Sequence, residues 1–361
     1  MTISRKPRAV NERQLRLWGV GRALTLTFAA ALLAAGGVFY GLVVLLDFQA
    51  IDTTAQLDAK TLFDLMKLSF GVVAGSGALV ALVVAYRRQR VDEAGAHREA
   101  TRLHTERFTT AVEHLGSDSP AVRLGGVHAL AGLADDAPDQ GLRQTCVDVL
   151  CAYLQLPFTP DPGNDPADQA EHHRYLAARN VRHTVLRLIG DHYRRPRGTH
   201  RSWQDCDLDL RGVTIDGIMD FEGAEFSDGM VNFSGAKLSD GSAINFNNVA
   251  FSGGTVLFNH VVFSGGVVSF MNATFSGGTV NLKQAEFSGS TVLFHSTVFS
   301  GAMVDFDRAE FTSGTVLFHS VVFSGGTVNF DRASGHPPTG LQDAVGPSAS
   351  ATVTLPSAWL S

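Results

Sequence analysis

The chain has 361 residues, room for two or three domains and a substantial core. Charged residues are only 18% of it, the net charge is −6, and Gly and Phe reach 37 and 24 residues. That balance excludes an average soluble domain and points to a repetitive or membrane-bound chain.

Two uncharged runs come first, at 23–46 and 68–86, each long enough to cross a bilayer as a helix. Arg5, Lys6, Arg8, Arg13, Arg16 and Arg22 precede the first, and Arg87, Arg88 and Arg90 follow the second. The intervening loop carries Asp47, Asp52, Asp58 and Asp64 against Lys60 and Lys67. The positive-inside rule then predicts a basic cytoplasmic tail at 1–22, a transmembrane hairpin at 23–86 and a cytoplasmic remainder. The bilayer is thus an expected partner, and Cys146, Cys151 and Cys206 are expected as reduced core thiols.

Residues 87–202 read as a small all-α connector. Ser119 before Pro120 predicts a helix start, after which Leu124, Val127, Leu130 and Leu133 share one face. Cys146, Val149, Leu150, Tyr153 and Leu154 repeat the helical spacing, as do Val181, Val185, Leu188 and Ile189 beyond a Pro-rich loop. His172, His173 and His183 lack the spacing that puts two metal ligands on one face, so no metal or other cofactor is expected. The basic stretch 194–201 reads as a solvated linker.

From 203 to 334 the chain repeats. Units begin at Phe226, Leu238, Phe251, Phe263, Phe275, Phe287, Phe299, Phe311 and Phe323, every step 12 residues except one of 13. A second large apolar residue follows seven places later, as at Phe258, Phe270 and Leu282, and a small or branched residue stands two places before each large one. Small-x-large spacing puts both side chains on one face of a short strand. Such strands become stable when the chain coils and like side chains stack about 4.8 Å apart. Ser-Gly-Gly supplies the positive φ and the tight corner. Outward positions alternate polar and apolar every 12 residues (Asn281, Leu293, Asp305, Leu317, Asn329), which predicts a four-sided coil of 24 residues.

The segments FEGAEF, FSGAKL, FMNATF and FDRAEF resemble pentapeptide repeats, with two residues inserted in alternate steps. The resemblance implies a right-handed quadrilateral β-helix. With the two apolar runs, YRRQR and RQTCVDVLCAYL, the chain further resembles a bacterial group of membrane-anchored pentapeptide-repeat proteins. That implies a multi-pass inner-membrane protein with its N-terminus and C-terminal domains in the cytoplasm.

No residue is assigned a catalytic role. The expected function is a non-enzymatic, membrane-tethered interaction or scaffolding module, with Leu293, Val298, Leu317 and Val322 as an outward apolar stripe for an unassigned protein partner, a second copy or the helical connector. One alternative follows from the resemblance, since some pentapeptide-repeat helices mimic DNA and engage topoisomerases. Residues 203–334 hold 14 acids against five bases, the right sign, but none of the acids lies between 251 and 285. Nucleic acid itself is not an expected partner. A second alternative is a carbohydrate-cleaving β-helix, for which the later repeats offer Asp305, Asp307, Arg308, Glu310, Asp331 and Arg332, in a regular column set by the repeat itself. The tail, 335–361, is rich in Pro, Gly, Ser and Ala and reads as largely disordered, with ATVTLPSAWL able to fold over the last coil.

Overall fold

A computed structural model describes residues 59–345, apart from 159–160, 164 and 166–167, together with 352–360 and scattered helical positions between 25 and 40. The chain divides into two units, 1–99 and 100–361. All described residues of the first unit are helical, and helix α1 (Ala59–Leu115) runs from it into the second.

Among the described residues no helix is long and apolar enough to cross a membrane. This overturns the expected two-span anchor and, with it, the multi-pass inner-membrane placement. A spanning helix needs about 20 consecutive apolar residues. The run at 68–86 is one stretch of the 57-residue α1, interrupted by Gly71, Gly75, Ser76 and Gly77 and continuous with Asp64, Lys67, Arg87, Arg88, Arg90, Asp92 and Glu93. Most of the run at 23–46 lies outside the described residues, as does the tail at 1–22.

The second unit holds three further helices, α2 (Pro120–Asp135), α3 (Gln140–Gln155) and α4 (Gln169–Tyr193). Pro120 does open α2, but the Ser119 side chain makes no capping bond; at α3 the Asp139 carboxylate accepts from Leu142 N at 2.9 Å. The periodic apolar positions Val127, Leu130, Leu133, Cys146, Leu150, Leu154, Val181, Val185 and Ile189 are all buried.

Beyond Trp203 the chain is a β-solenoid of short parallel strands. Strands β2, β6, β9, β12, β15 and β18 (Thr214–Ile215, Lys237–Leu238, Val262–Phe263, Glu286–Phe287, Glu310–Phe311, Ser334–Gly335) stack as one six-stranded side. Strands β3, β7, β10, β13 and β16 (Ile218–Asp220, Ala243–Asn245, Val267–Ser269, Thr291–Leu293, Thr315–Leu317) form a second. The eight-residue strands β8, β11, β14 and β17 (Ala250–Leu257, Thr274–Asn281, Val298–Asp305, Val322–Asn329) bend at Ser-Gly and supply the other two. Phe275 pairs with Phe299, Val280 with Val304, Phe287 with Phe311 and Val292 with Val316, so one coil takes 24 residues. The earliest coils differ: Leu208 pairs with Val231 and Val231 with Val256, steps of 23 and 25.

The interior is filled by aromatic ladders. Phe251, Phe275, Phe299 and Phe323 stack at 4.5, 4.7 and 5.1 Å between ring centroids. Phe246, Phe270, Phe294 and Phe318 stack at 5.0, 4.8 and 4.5 Å. Each ring fills the space between its neighbours, and parallel offset rings add about 1 kcal/mol per pair to the burial itself.

Two kinds of corner turn the chain. At the Ser-Gly-Gly corner Gly277 passes so close to the Ser252 carbonyl that a Cβ has no room, and Gly278 takes φ +71°. The other corner contains no required glycine. Asn248, His260, Asn272, Gln284, Ser296, Arg308, Ser320 and Arg332 all have φ between 54° and 57°. Each sits third in a four-residue turn, as where Val261 N donates to Phe258 O at 3.3 Å, the pattern of a type II turn.

Both ends are covered. Gln140, Gln144 and Gln155 of α3 donate to the carbonyls of Asp205, Asp207 and Asp209, and Arg182 of α4 donates to Thr214 O at 2.8 Å. Gly190 lets α4 lie directly against the Asp220 backbone, where a Cβ would not fit. At the far end α5 (Leu341–Ala344) follows a Leu317–Thr339 bridge, and β19 (Thr352–Thr354) adds a parallel rung to β17. Trp359 closes the core over Phe311 and Phe330, at 5.5 and 5.8 Å, and its indole N–H donates to Gly335 O at 3.0 Å. An open solenoid end would expose strand edges and apolar rings, and these caps cover both.

Candidate interaction surface

Since the inward side chains are committed to the ladders, recognition falls to the outward columns. Two columns, on different sides of the coil, carry carboxylate and amide oxygens that cap the turn ahead. Asp209, Asp220, Asn232, Asn245, Asn281, Asp305 and Asn329 each accept, through Oδ1, the backbone N–H two residues on, at 2.8 to 3.3 Å. This is the Asx turn, the local solution for a backbone donor at a sharp bend.

Leu257 interrupts the first of these columns and Leu293 and Leu317 end the second, and leucine has no oxygen to offer. On the β3-β7-β10-β13-β16 side the column reads Asp220, Asn245, Ser269, Leu293, Leu317, with each neighbour in register. Around the corner the adjacent side reads Glu225, Ala250, Thr274, Val298, Val322. Both columns turn from polar to apolar toward the C-terminal coils. All four predicted stripe residues therefore flank one corner: Leu293 pairs with Leu317 and Val298 with Val322, the first three half-buried and Val322 51% exposed. His295 and His319 lie on the turns between the two columns and are exposed, with Ser296 N donating to His319 O at 2.9 Å. The helices cover the first coil and leave this corner uncovered, so docking of the connector onto the stripe does not occur within the described residues.

Asp305 and Asp307 of the later coils are occupied internally. Asp305 accepts from Asp307 N and pairs with Lys283 at 2.9 Å; Asp307 pairs with Arg332 at 2.6 Å. Both aspartates are 8% exposed. The basic stretch 194–201 is likewise engaged, Arg194 with Asp191 and Asp220, Arg197 with Asp205, and Arg201 with Asp135.

The junction between helices and solenoid concentrates the buried polar groups. His192 lies against Trp203 at 4.0 Å, with Nε2 3.2 Å from Asp135 and Nδ1 2.6 Å from Leu188 O. Burial works against the Asp135 charge, but hydrogen bonds from His192 and Trp203 outweigh it and hold the carboxyl below its usual range. Asp216 is 7% exposed and sits 3.4 to 3.9 Å from His183, Arg179 and Arg182. Cys146, Cys151 and Cys206 are free and buried, and burial pushes their thiols up to about 12, about 12 and about 11. Such thiols are inert packing groups. His172 is held by Asp161 at 2.8 Å, and among the described residues no group of three or more His, Cys, Asp or Glu is placed to hold a metal ion.

The outward apolar residues Leu293, Val298, Leu317 and Val322, legible in the sequence, lie together at one corner, whereas the capping columns went unrecognised. Their signal was present: Asn or Asp stands immediately before the large inward residue at Asn232, Asn245, Asn281, Asp305 and Asn329. Comparison of the chain with family models, curated proteins and solved structures finds no match.

Proposed function

We propose that the solenoid is a non-enzymatic interaction or scaffolding module whose docking face is the corner formed by Leu293, Val298, Leu317 and Val322. The observation that carries this reading is the replacement of the capping oxygen by leucine at two successive coils. A turn-capping hydrogen bond contributes about 1 kcal/mol. Leu293 and Leu317 forgo it while placing side chains outward, where they add nothing to the interior ladder. Residues that cost stability and stay outward are what a binding surface requires.

The alternation of five- and seven-residue steps, two of each per coil, with small and large inward residues, supports reading the solenoid as a variant of the pentapeptide-repeat β-helix. A DNA-like surface needs evenly spaced, uncompensated negative charge. Pairing of Asp305 and Asp307 with Lys283 and Arg332 favours the docking reading over mimicry. The same aspartates serve as turn caps and ion-pair partners, which favours it over hydrolysis of carbohydrate.

The test is a crosslinking capture from native cells with the full chain and with Leu293→Asp/Leu317→Asp. A protein captured by the parent and lost from the folded variant supports the reading; identical capture by both defeats it.

A further inference from the structure

Helices α1 and α2 touch at one point and then part. At the crossing a Cβ on Gly126 would stand 2.6 Å from Leu115 N and 2.9 Å from Ala111 O, so only glycine allows the approach. Toward Ala100 on α1 and Pro138 beyond α2 the helices diverge, leaving an open wedge of about 710 Å³. That volume lies within the range of about 300–1,000 Å³ typical of small-molecule sites.

The wedge has an apolar wall and a polar floor and rim. Leu103, Ala111, Ala129 and Leu133 supply the wall. His104 is only 6% exposed yet lines the wedge, and its one neighbour among polar side chains is a weak one, Cys146 Sγ at 3.8 Å from Nε2. Burial pushes His104 down from its ordinary value; Asp139 opposes this and Arg107 adds to it, so the ring is neutral near pH 7. Of the charged side chains at the rim, Glu106 is paired with Arg102 and Asp136 with His200. Arg107 has no carboxylate at ion-pair distance among the described residues.

We propose that this wedge binds a small amphipathic carboxylate, its hydrocarbon body against Leu103, Ala111 and Leu133 and its carboxylate on Arg107. Arginine presents a planar fork matched to a carboxylate, and it is the one cation in the wedge with its charge uncommitted. His104 offers a neutral ring at the floor, able to donate one hydrogen bond without adding charge. An amphipathic cation would face the Arg107 charge instead.

Isothermal titration of the full-length chain with dodecanoate, and with dodecanol as the uncharged counterpart, tests the proposal. Two variants accompany the parent, Arg107→Gln and Gly132→Leu. Gly132 lines the wedge with nothing within 4 Å of an added Cβ, so leucine there fills the space without disturbing α2, and leucine is the better helix former. The expected result is one saturable dodecanoate site, weakened at least tenfold by each variant and at least tenfold weaker for dodecanol. No saturable site, dodecanoate binding unchanged by Gly132→Leu, or dodecanol binding as tightly as dodecanoate overturns it. Arg107 is exposed, so its substitution reports on binding without threatening the fold.

Discussion

Phe275 lies on Phe251 with ring centroids 4.5 Å apart and planes 10° from parallel, one residue in each of two consecutive coils. Phe299 repeats the relationship on the other side at 4.7 Å, so Phe275 is packed between two rings and is fully buried. Phe275→Ala removes contacts from both neighbours at once and is expected to cost about 4 kcal/mol, read by chemical denaturation. Phe275→Leu keeps most of the volume and is expected to cost about 1 kcal/mol, as the natural Leu282 in the Phe258–Phe306 column suggests.

Gln284 has φ 55° in a turn where Gly212 and Gly235 serve earlier coils with φ 67° and 69°. A left-handed conformation costs an L-residue about 1 kcal/mol that glycine does not incur. Gln284→Gly should therefore raise stability by up to about 1 kcal/mol, and Gln284→Val should lower it by more. Thermal midpoints of the two variants against the parent decide the matter.

The SGG corners and the Phe ladders were legible because each is carried by one residue type repeated at fixed spacing. The second corner was not. Asn, His, Gln, Ser and Arg share no chemistry that announces a positive φ; they are held there by the coil's closure, an interaction between residues 24 apart. The end cap was legible as a segment, ATVTLPSAWL, but the part Trp359 plays in it was not, since a lone aromatic in a Pro- and Ser-rich tail reveals its burial only once the end of the solenoid exists to receive it. The apolar run at 68–86 misled because local hydropathy does not show that one helix continues from it through Arg87, Arg88 and Arg90 to Leu115.

Trp359 is 4% exposed at the end of the core. Trp359→Ala should cost about 3 kcal/mol and leave the Phe311 and Phe330 rings open to water. Hydrogen exchange should report it as faster exchange confined first to β17 and β15, with the N-terminal coils unchanged.

Asp135 is held below the ordinary carboxylate range, so its contribution is present above the unfolded value of about 3.9 and is lost as pH falls through the lower folded value. The parent should lose stability below about pH 4 more steeply than Asp135→Ala. At neutral pH the variant should be less stable by about 3 kcal/mol, because it leaves His192 and the Trp203 indole N–H without their acceptor. Denaturant midpoints at a series of pH values give both numbers.

The buried thiols predict slow chemistry. With values near 11 to 12, Cys146, Cys151 and Cys206 carry almost no thiolate at pH 8 and are shielded from reagent. Iodoacetamide should label none of them in the folded chain and all three after denaturation, as counted by mass spectrometry.

Leu293 and Leu317 stand where the coil would accept a turn cap. Leu293→Asn/Leu317→Asn restores that cap with the residue already used at Asn245, Asn281 and Asn329. Measured together, thermal stability and partner capture should move in opposite directions: the midpoint rises, with about 1 kcal/mol gained per cap, while the captured protein is lost. A variant that is less stable than the parent and still holds its partner would contradict the central claim.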